Sequence, residues 1–432
     1  MATSTLLTVS LAALLGAHAV RASHPHPVRP VIAKEPRTES DGTFSVHQTR
    51  NPGYRPKSGL EAMVEVYKKY GVELTPQLRK AVEINKHLST SRKRQTVEAV
   101  PPRGLDYEYI SPVKIGTPPQ TMYLNFDTGS ADLWVYSTDT NESVVAGQGL
   151  YKPALSTTAQ IQPGFTFSIG YGDGSSAEGL VYRDRVEVAG FVVENQAVQS
   201  AETVSTKFTG DPYCWGLLGL GMSSGNTVEP VRQLTFLDNI KSSLASPVFT
   251  ADLKSTIPGT YGFGFIGNSY TGRIQYAPID RTAIWWLFAI TGYRIGPETI
   301  PGNPNSGYVT KPFRAIADTA TSMLLLSDDI VDSYWDQIPG SYYDDEWAAI
   351  LFPCSATLPD FILGIGLYKG IVPGRYMNYG IADNTGTLCY GGLQSQGGID
   401  FAIIGATALK AQYAVFDLGN MRVGLANKPL QT

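Results

Sequence analysis

The sequence is short of the groups on which most hydrolases rely. It has five histidines in 432 residues, and all five (His18, His24, His26, His47 and His87) precede Arg94. The 338 residues from Gln95 to Thr432 contain none. That absence excludes from this body a Ser-His-Asp triad, a Cys-His pair and histidine-ligated zinc. Acid–base chemistry there falls to carboxylates. Cysteine is also scarce, with Cys214, Cys354 and Cys389 alone. In an oxidising compartment Cys354 and Cys389 can close a 35-residue step, which leaves Cys214 odd and read as a free buried thiol.

Long apolar runs are missing after the first residues. Met1–Ala19 carries LLTVSLAALLG followed by small residues, a signal-peptide pattern too short to span a membrane, although its start has no Lys or Arg. The tail ANKPLQT has no hydrophobic end of the kind a lipid anchor needs, and no membrane partner is expected. Positive charge is missing from the body: residues 95–432 hold 19 Lys+Arg against 31 Asp+Glu, a net of −12. Residues 23–94 hold 14 against 7, a net of +7, and end in Arg92-Lys93-Arg94, which reads as a site for a kexin-like processing protease. A basic leader on an acidic body implies a pro-segment held partly by charge, and the acidic body argues against nucleic acid as a partner.

What is present is a carboxylate in an unexpected place. In NFDTGSADLWV, Asp127 sits within a strand-like apolar run, where aspartate is disfavoured and a buried carboxylate is costly unless satisfied. A second such site follows 191 residues later in FRAIADTATSMLLL, at Asp318. Gly219 of Leu217-Leu218-Gly219 lies 92 residues after Asp127, and Gly405 of Ile403-Ile404-Gly405 lies 87 residues after Asp318. Two motifs recurring in order at similar offsets imply two related lobes, each supplying one carboxylate. The chain therefore divides into a signal peptide (1–19), a basic pro-segment (20–94), a first lobe (95–270) and a second lobe (271–432). Short alternating runs such as Phe165–Ile169 and Val186–Val188, broken by Gly and Asp, predict an all-β fold. One helix is predicted at VDSYWDQI, residues 331–338, after the paired acids Asp328-Asp329. Asn141-Glu142-Ser143 is an N-glycosylation sequon.

These motifs, with SIGYGDGSSAEG, GLLGLG, FPCSATLPDF and IIGATALKAQYAVFD, resemble the pepsin-like aspartic proteases, and among them the secreted fungal branch of the aspergillopepsin and penicillopepsin type. The resemblance runs from about Leu105 to Leu425 and touches the leader. It implies a bilobal all-β fold with a deep cleft, and Asp127 and Asp318 as a catalytic pair that shares a proton and activates water, with no cofactor or metal. It implies that Gly129 turns its N–H toward a carboxylate, that Thr128 and Thr319 bond across the lobes, and that Ser130 and Thr321 bond the outer carboxylate oxygens. Tyr171, Gly172, Asp173 and Ser175 would form a flap over the substrate, with Tyr171 near Trp134 and Asp173 able to pair with a substrate lysine. Lys69, in YKKYG, would reach from the leader to the catalytic pair. Polypeptide substrates, the chain's own leader as partner, a monomeric state and secretion follow from the same likeness.

Three positions depart from the family pattern: Ala320 in place of Gly, Ala406 in place of Asp, and Cys214-Trp215 in place of a polar pair. They keep open a second reading, a catalytically weakened homologue that binds peptides or associates with the wall. A glycoside hydrolase, also built on two carboxylates, is the rival of a different class.

Overall fold

The structure, a computed structural model, describes residues 37–38, 41–51, 57–92, 109–170, 176–205, 212–383 and 385–430. The predicted signal peptide, Lys93-Arg94 and the hairpin tip 171–175 lie outside the described residues. The described residues fall in one unit, Ile32–Thr432.

Each half builds its carboxylate from the same three strands. In the first half β1 (Gln120–Asp127) and β2 (Leu133–Tyr136) flank β3 (Gly216–Gly219). The central strand runs parallel to β1, pairing Gly219 with Asp127, and antiparallel to β2. In the second half β4 (Val309–Ala317) and β5 (Leu324–Leu326) flank β6 (Ala402–Ile404), again parallel to one and antiparallel to the other. The recurring Leu-Leu-Gly and Ile-Ile-Gly stretches are these two central strands. They are apolar on both faces because each is covered on both sides: Leu218, Ile403 and Ile404 are at 0 % exposure, and Leu217 is half-buried.

A six-stranded sheet joins the halves. Its order is Gln275–Pro278, Arg422–Asn427, Gln412–Asp417, Val248–Asp252, Thr260–Phe263 and, at the edge, the leader strand Phe44–His47. Strands on both sides of residue 270 thus share one sheet. Phe249 anchors its core, stacked on Phe416 at 4.4 Å between centroids. Two bonds tie this region to the first lobe: Trp286 Nε1–H donates to the Leu220 carbonyl at 2.8 Å, and Tyr261 Oη–H to that of Phe126 at 3.3 Å.

The leader adds two helices, α1 (Gly59–Lys69) and α2 (Pro76–Arg92). A capping box starts α1: Glu61 N–H donates to Ser58 Oγ at 3.2 Å, and Ser58 N–H to Glu61 Oε2 at 2.7 Å. Its buried face, including Leu60, Met63, Val66 and Tyr67, packs into a cluster with Leu351, Tyr390 and Ile399 of the second lobe.

The predicted helix of the second lobe exists but is shifted. It spans Asp328–Trp335, so the paired acids form its first turn instead of preceding it. Both carboxylates then sit at the positive end of the helix dipole, and Pro339 biases Ile338 away from helical geometry. The strands Gln160–Gly170 and Ser176–Val188 contain both alternating runs named above. Cys354 and Cys389 form the expected disulfide, beside the paired residues Pro353 and Leu388.

Candidate active site

Asp127 closes β1 and Asp318 follows β4, and both are fully buried. Parallel pairing with β3 and β6 brings the strand ends to the seam between the lobes, where the two threonines interlock. Thr128 Oγ1–H donates to the Ala317 carbonyl at 2.8 Å and accepts the Thr319 N–H at 3.0 Å. Thr319 Oγ1–H donates to the Phe126 carbonyl at 2.7 Å and accepts the Thr128 N–H at 3.2 Å. Each hydroxyl is therefore saturated by the opposite lobe, which fixes the distance between the strand ends.

Each carboxylate has an inner and an outer oxygen with its own donors. Asp127 Oδ1 accepts the Gly129 N–H at 2.8 Å, and Oδ2 accepts Ser130 Oγ–H at 2.6 Å. Asp318 Oδ1 accepts the Ala320 N–H at 3.1 Å, and Oδ2 accepts Thr321 Oγ–H. The added methyl of Ala320 leaves the N–H on its carboxylate. At Gly129 a methyl would not fit: a Cβ there would lie 2.7 Å from Tyr70 Oη, 2.8 Å from Lys69 Nζ and 2.9 Å from Asp318 Cγ.

Lys69, the last residue of α1, joins the two carboxylates. Its Nζ lies 2.6 Å from Asp127 Oδ1 and 2.7 and 2.8 Å from the two oxygens of Asp318. Because one nitrogen touches both, the carboxylates lie within the range where ionising one opposes ionising the other. Sequence reasoning missed the neighbour of Lys69. Tyr70 Oη–H donates to Asp318 Oδ2 at 2.6 Å, and its ring stands edge-on to Trp285 and Phe401. The signal was its adjacency to Lys69 at the end of an amphipathic helix.

These contacts split the pair electrically. Burial pushes Asp127 up; Lys69 opposes this and the Asp318 charge adds to it, and its net direction is above the ordinary value. Burial also pushes Asp318 up, but the Lys69 charge and hydrogen bonds from Lys69, Thr321 and Tyr70 outweigh it and hold Asp318 below. Burial pulls Lys69 down, yet the two carboxylates win and raise it.

The other anticipated residues are placed as follows. Trp134 is buried on β2, 5.7 Å from the ring of Tyr136; Tyr171, expected near it, lies with Gly172, Asp173 and Ser175 outside the described residues. Asn141 is exposed, and its Oδ1 accepts the Ser143 N–H and hydroxyl. Ala406 begins a short helix, and its N–H donates to the Thr321 carbonyl at 2.7 Å. Cys214 is half-buried, not buried as expected, and its thiol lies 3.4 Å from the Gly216 carbonyl. Trp215 explains the apolar choice beside it: its ring packs on Tyr123, and its N–H reaches the Pro212 carbonyl. Among the described residues no group of three or more His, Cys, Asp or Glu is arranged to hold a metal, and no helix is long and apolar enough to cross a membrane.

Residues 108–428 match the family model described as eukaryotic aspartyl protease. The chain is 45% identical to endothiapepsin of Cryphonectria parasitica over 377 residues, 87% of this chain and 88% of that one. It is 42% identical to aspergillopepsin-1 of Aspergillus oryzae over 422 residues, 98% and 99% of the two chains. It is 41% identical to penicillopepsin-3 of Penicillium janthinellum over 390 residues, 90% and 93%. A solved aspartic proteinase from Irpex lacteus matches with a TM-score of 0.60 at 23% identity, over 76% of this chain and 96% of that one, a likeness of fold.

Proposed function

The chain belongs to the eukaryotic aspartyl proteases, endopeptidases that act on polypeptides, and from that premise we propose that it is a secreted acid protease made as a self-blocked precursor, with Asp127 and Asp318 as its catalytic pair. The observation that carries this reading is the convergence of both buried carboxylates on the single Lys69 nitrogen. Groups that can bind one cation together can also share one proton once the cation leaves.

With Lys69 withdrawn, a water takes its place between the carboxylates. The ionised partner removes a proton from the water as it attacks the peptide carbonyl, while the protonated partner donates to the carbonyl oxygen. A tetrahedral diol forms. The carboxyl that took the proton from water then gives it to the leaving nitrogen as the C–N bond breaks, and a diol hydroxyl returns its proton to the other carboxylate; because water is the nucleophile, no covalent enzyme intermediate arises. Gly129 and Ala320 N–H and the hydroxyls of Ser130 and Thr321 keep each carboxylate oriented throughout.

The block is acid-sensitive. Asp318, held below its ordinary 3.8, contributes to leader docking fully above that value, and the contribution fades as pH falls through the depressed one. Lys69, raised above 10.5, contributes fully below that value and fades only at strongly alkaline pH. The clasp therefore holds at neutral pH and opens in acid; Lys69 also pulls the Asp127 carboxyl down, so protonating Asp127 removes a further ion-pair contact. Secretion is supported by the fungal relatives, the Cys354–Cys389 bridge and the exposed Asn141 sequon. A monomer suffices, since one chain supplies both carboxylates. Large apolar residues, and lysine through Asp173, are the side chains we assign to the scissile bond; an unchanged Lys-to-Phe preference in Asp173→Ser would remove the lysine part.

The deciding experiment expresses the full chain, acidifies it, reads the new N-terminus and follows cleavage of denatured haemoglobin with and without a statine-type transition-state mimic. Acid-dependent cleavage abolished by the mimic is expected. A folded, processed body that binds the mimic but cuts nothing would establish the weakened peptide-binding homologue instead.

A further inference from the structure

Asp132 is a buried carboxylate that the mechanism above does not use. It is 2 % exposed, five residues after Asp127, and the equivalent position in the second lobe is Met323, which is fully buried. An uncompensated carboxylate inside a protein is costly, so its retention where the other lobe manages with methionine calls for a task.

The task shows in what the two catalytic loops need. Each loop leaves the carboxylate strand with carbonyls that must be capped for the loop to hold its shape. In the second lobe the start of the Ala406–Leu409 helix does this. Ala406 N–H donates to the Thr321 carbonyl at 2.7 Å, Thr407 N–H to that of Ser322 at 2.8 Å, and Thr407 Oγ1–H to the same carbonyl at 2.9 Å. In the first lobe Gly221 N–H caps Ser130 at 2.7 Å, but Ala131, the counterpart of Ser322, is capped by a side chain, the Asn226 amide at 3.1 Å. The same amide lies 3.0 Å from Asp132 Oδ1. That oxygen also accepts Gln199 Nε2–H at 2.8 Å, Thr227 N–H at 2.9 Å and Thr227 Oγ1–H at 3.0 Å. The Asp132 carbonyl in turn accepts the Gly219 N–H from β3 at 2.9 Å.

We infer that Asp132 is a positioning residue for Asp127: with Asn226 it fixes the 128–132 loop, and through it the Gly129 N–H and Ser130 hydroxyl, as the Ala406–Leu409 helix start fixes the Asp318 loop. The groups facing Asp132 from neighbouring segments, Gln199, Asn226 and Thr227, are neutral. Burial pushes its carboxyl up against the hydrogen bonds from Thr227 and Gln199, and Asp127 is the charged neighbour that adds to the push. Asp127 is faced by Lys69, Asp318 and Ser130. The inference concerns the same site as the proposed peptidase and takes its catalytic meaning from that reading.

The test is the titration of Asp127 itself, followed by carbon NMR in the full chain labelled with 13C-aspartate, the signal being identified by its loss in Asp127→Asn. In Asp132→Ala the Asp127 titration is expected to move by about half a pH unit or more, and that of Asp318, coupled to it, by less. After acid activation kcat/KM should fall about tenfold, and Asp132→Asn, which keeps an acceptor oxygen, should restore it to within about threefold. An unmoved Asp127 titration in Asp132→Ala overturns the inference. Should that variant not fold, Asn226→Ala removes the cap on Ala131 with Asp132 intact, and the same shift is expected and the same null result is decisive. The titration reads Asp127 whether or not the protein cuts peptides, so loss of the peptidase reading and loss of this one are separate results.

Discussion

The two lobes present the same carboxylate from the same three-strand arrangement, yet they finish the job with different materials. The first lobe uses glycine at position 129, a side-chain network at the loop and one contact from Lys69 to Asp127. The second uses alanine at 320, a helix start at the loop and two Lys69 contacts plus Tyr70 on Asp318. The strand framework sets where a carboxylate goes. The surrounding donors set how tightly it holds a proton, and around the carboxylates it is there that the lobes diverge.

The comparison breaks most sharply at the carboxylates. Asp127→Asn and Asp318→Asn should each lower peptidase kcat/KM by about a thousandfold or more, because neither half can shuttle the proton alone; substantial activity in either variant would mean that one lobe suffices. Next comes the leader. Lys69→Met should leave the unprocessed chain cutting or binding inhibitor near neutral pH, where the proposed block would keep the parent silent, and a titration of mimic binding against pH measures it. A parent-like silent precursor would place the block elsewhere than the clasp.

Exchanging the third motif residue sharpens the contrast. Gly129→Ala puts a methyl into Tyr70 and Lys69 and should free the leader to proteolysis, whereas Ala320→Gly should keep it docked and cost about 1 kcal/mol or less, the order of a backbone-entropy change. Equal protease sensitivity of the two would erase the asymmetry. Breaking the interlock at either end, by Thr128→Ala or Thr319→Ala, should cost a similar 1–3 kcal/mol or so in chemical denaturation, since each hydroxyl serves two partners. The smallest effect is expected at Ala406→Asp, which adds a carboxyl beside the Asp318 loop. It should move the pH optimum by less than about one unit toward acid, and identical pH–rate profiles would end the idea.

Much of this was legible because duplication prints itself in a sequence. Asp127 and Asp318 and the paired apolar strands could be read from spacing, and the places of Thr128, Thr319 and Lys69 from the likeness to the family. What escaped depended on chain segments that meet only in three dimensions. Tyr70 sits beside a recognised lysine, but its partners Trp285 and Phe401 come from distant bends of the second half. Asp132 stood in plain view within NFDTGSADLWV, while the residues that explain it, Gln199 and Asn226, lie far along the chain. The helix at Asp328 was misplaced by three residues because acids that favour a first turn were read as preceding it.

Among the described residues the leader's anchors include the strand Phe44–His47 in the shared sheet, the apolar face of α1 and the Lys69–Tyr70 pair, which lie before its basic terminus. Scission within Arg92-Lys93-Arg94 would therefore sever the covalent tether without disturbing any of these. Its thermodynamic effect is to replace a fixed effective concentration with the bulk one, so that an inhibitor held in cis becomes one that dilution, together with acid, can carry away.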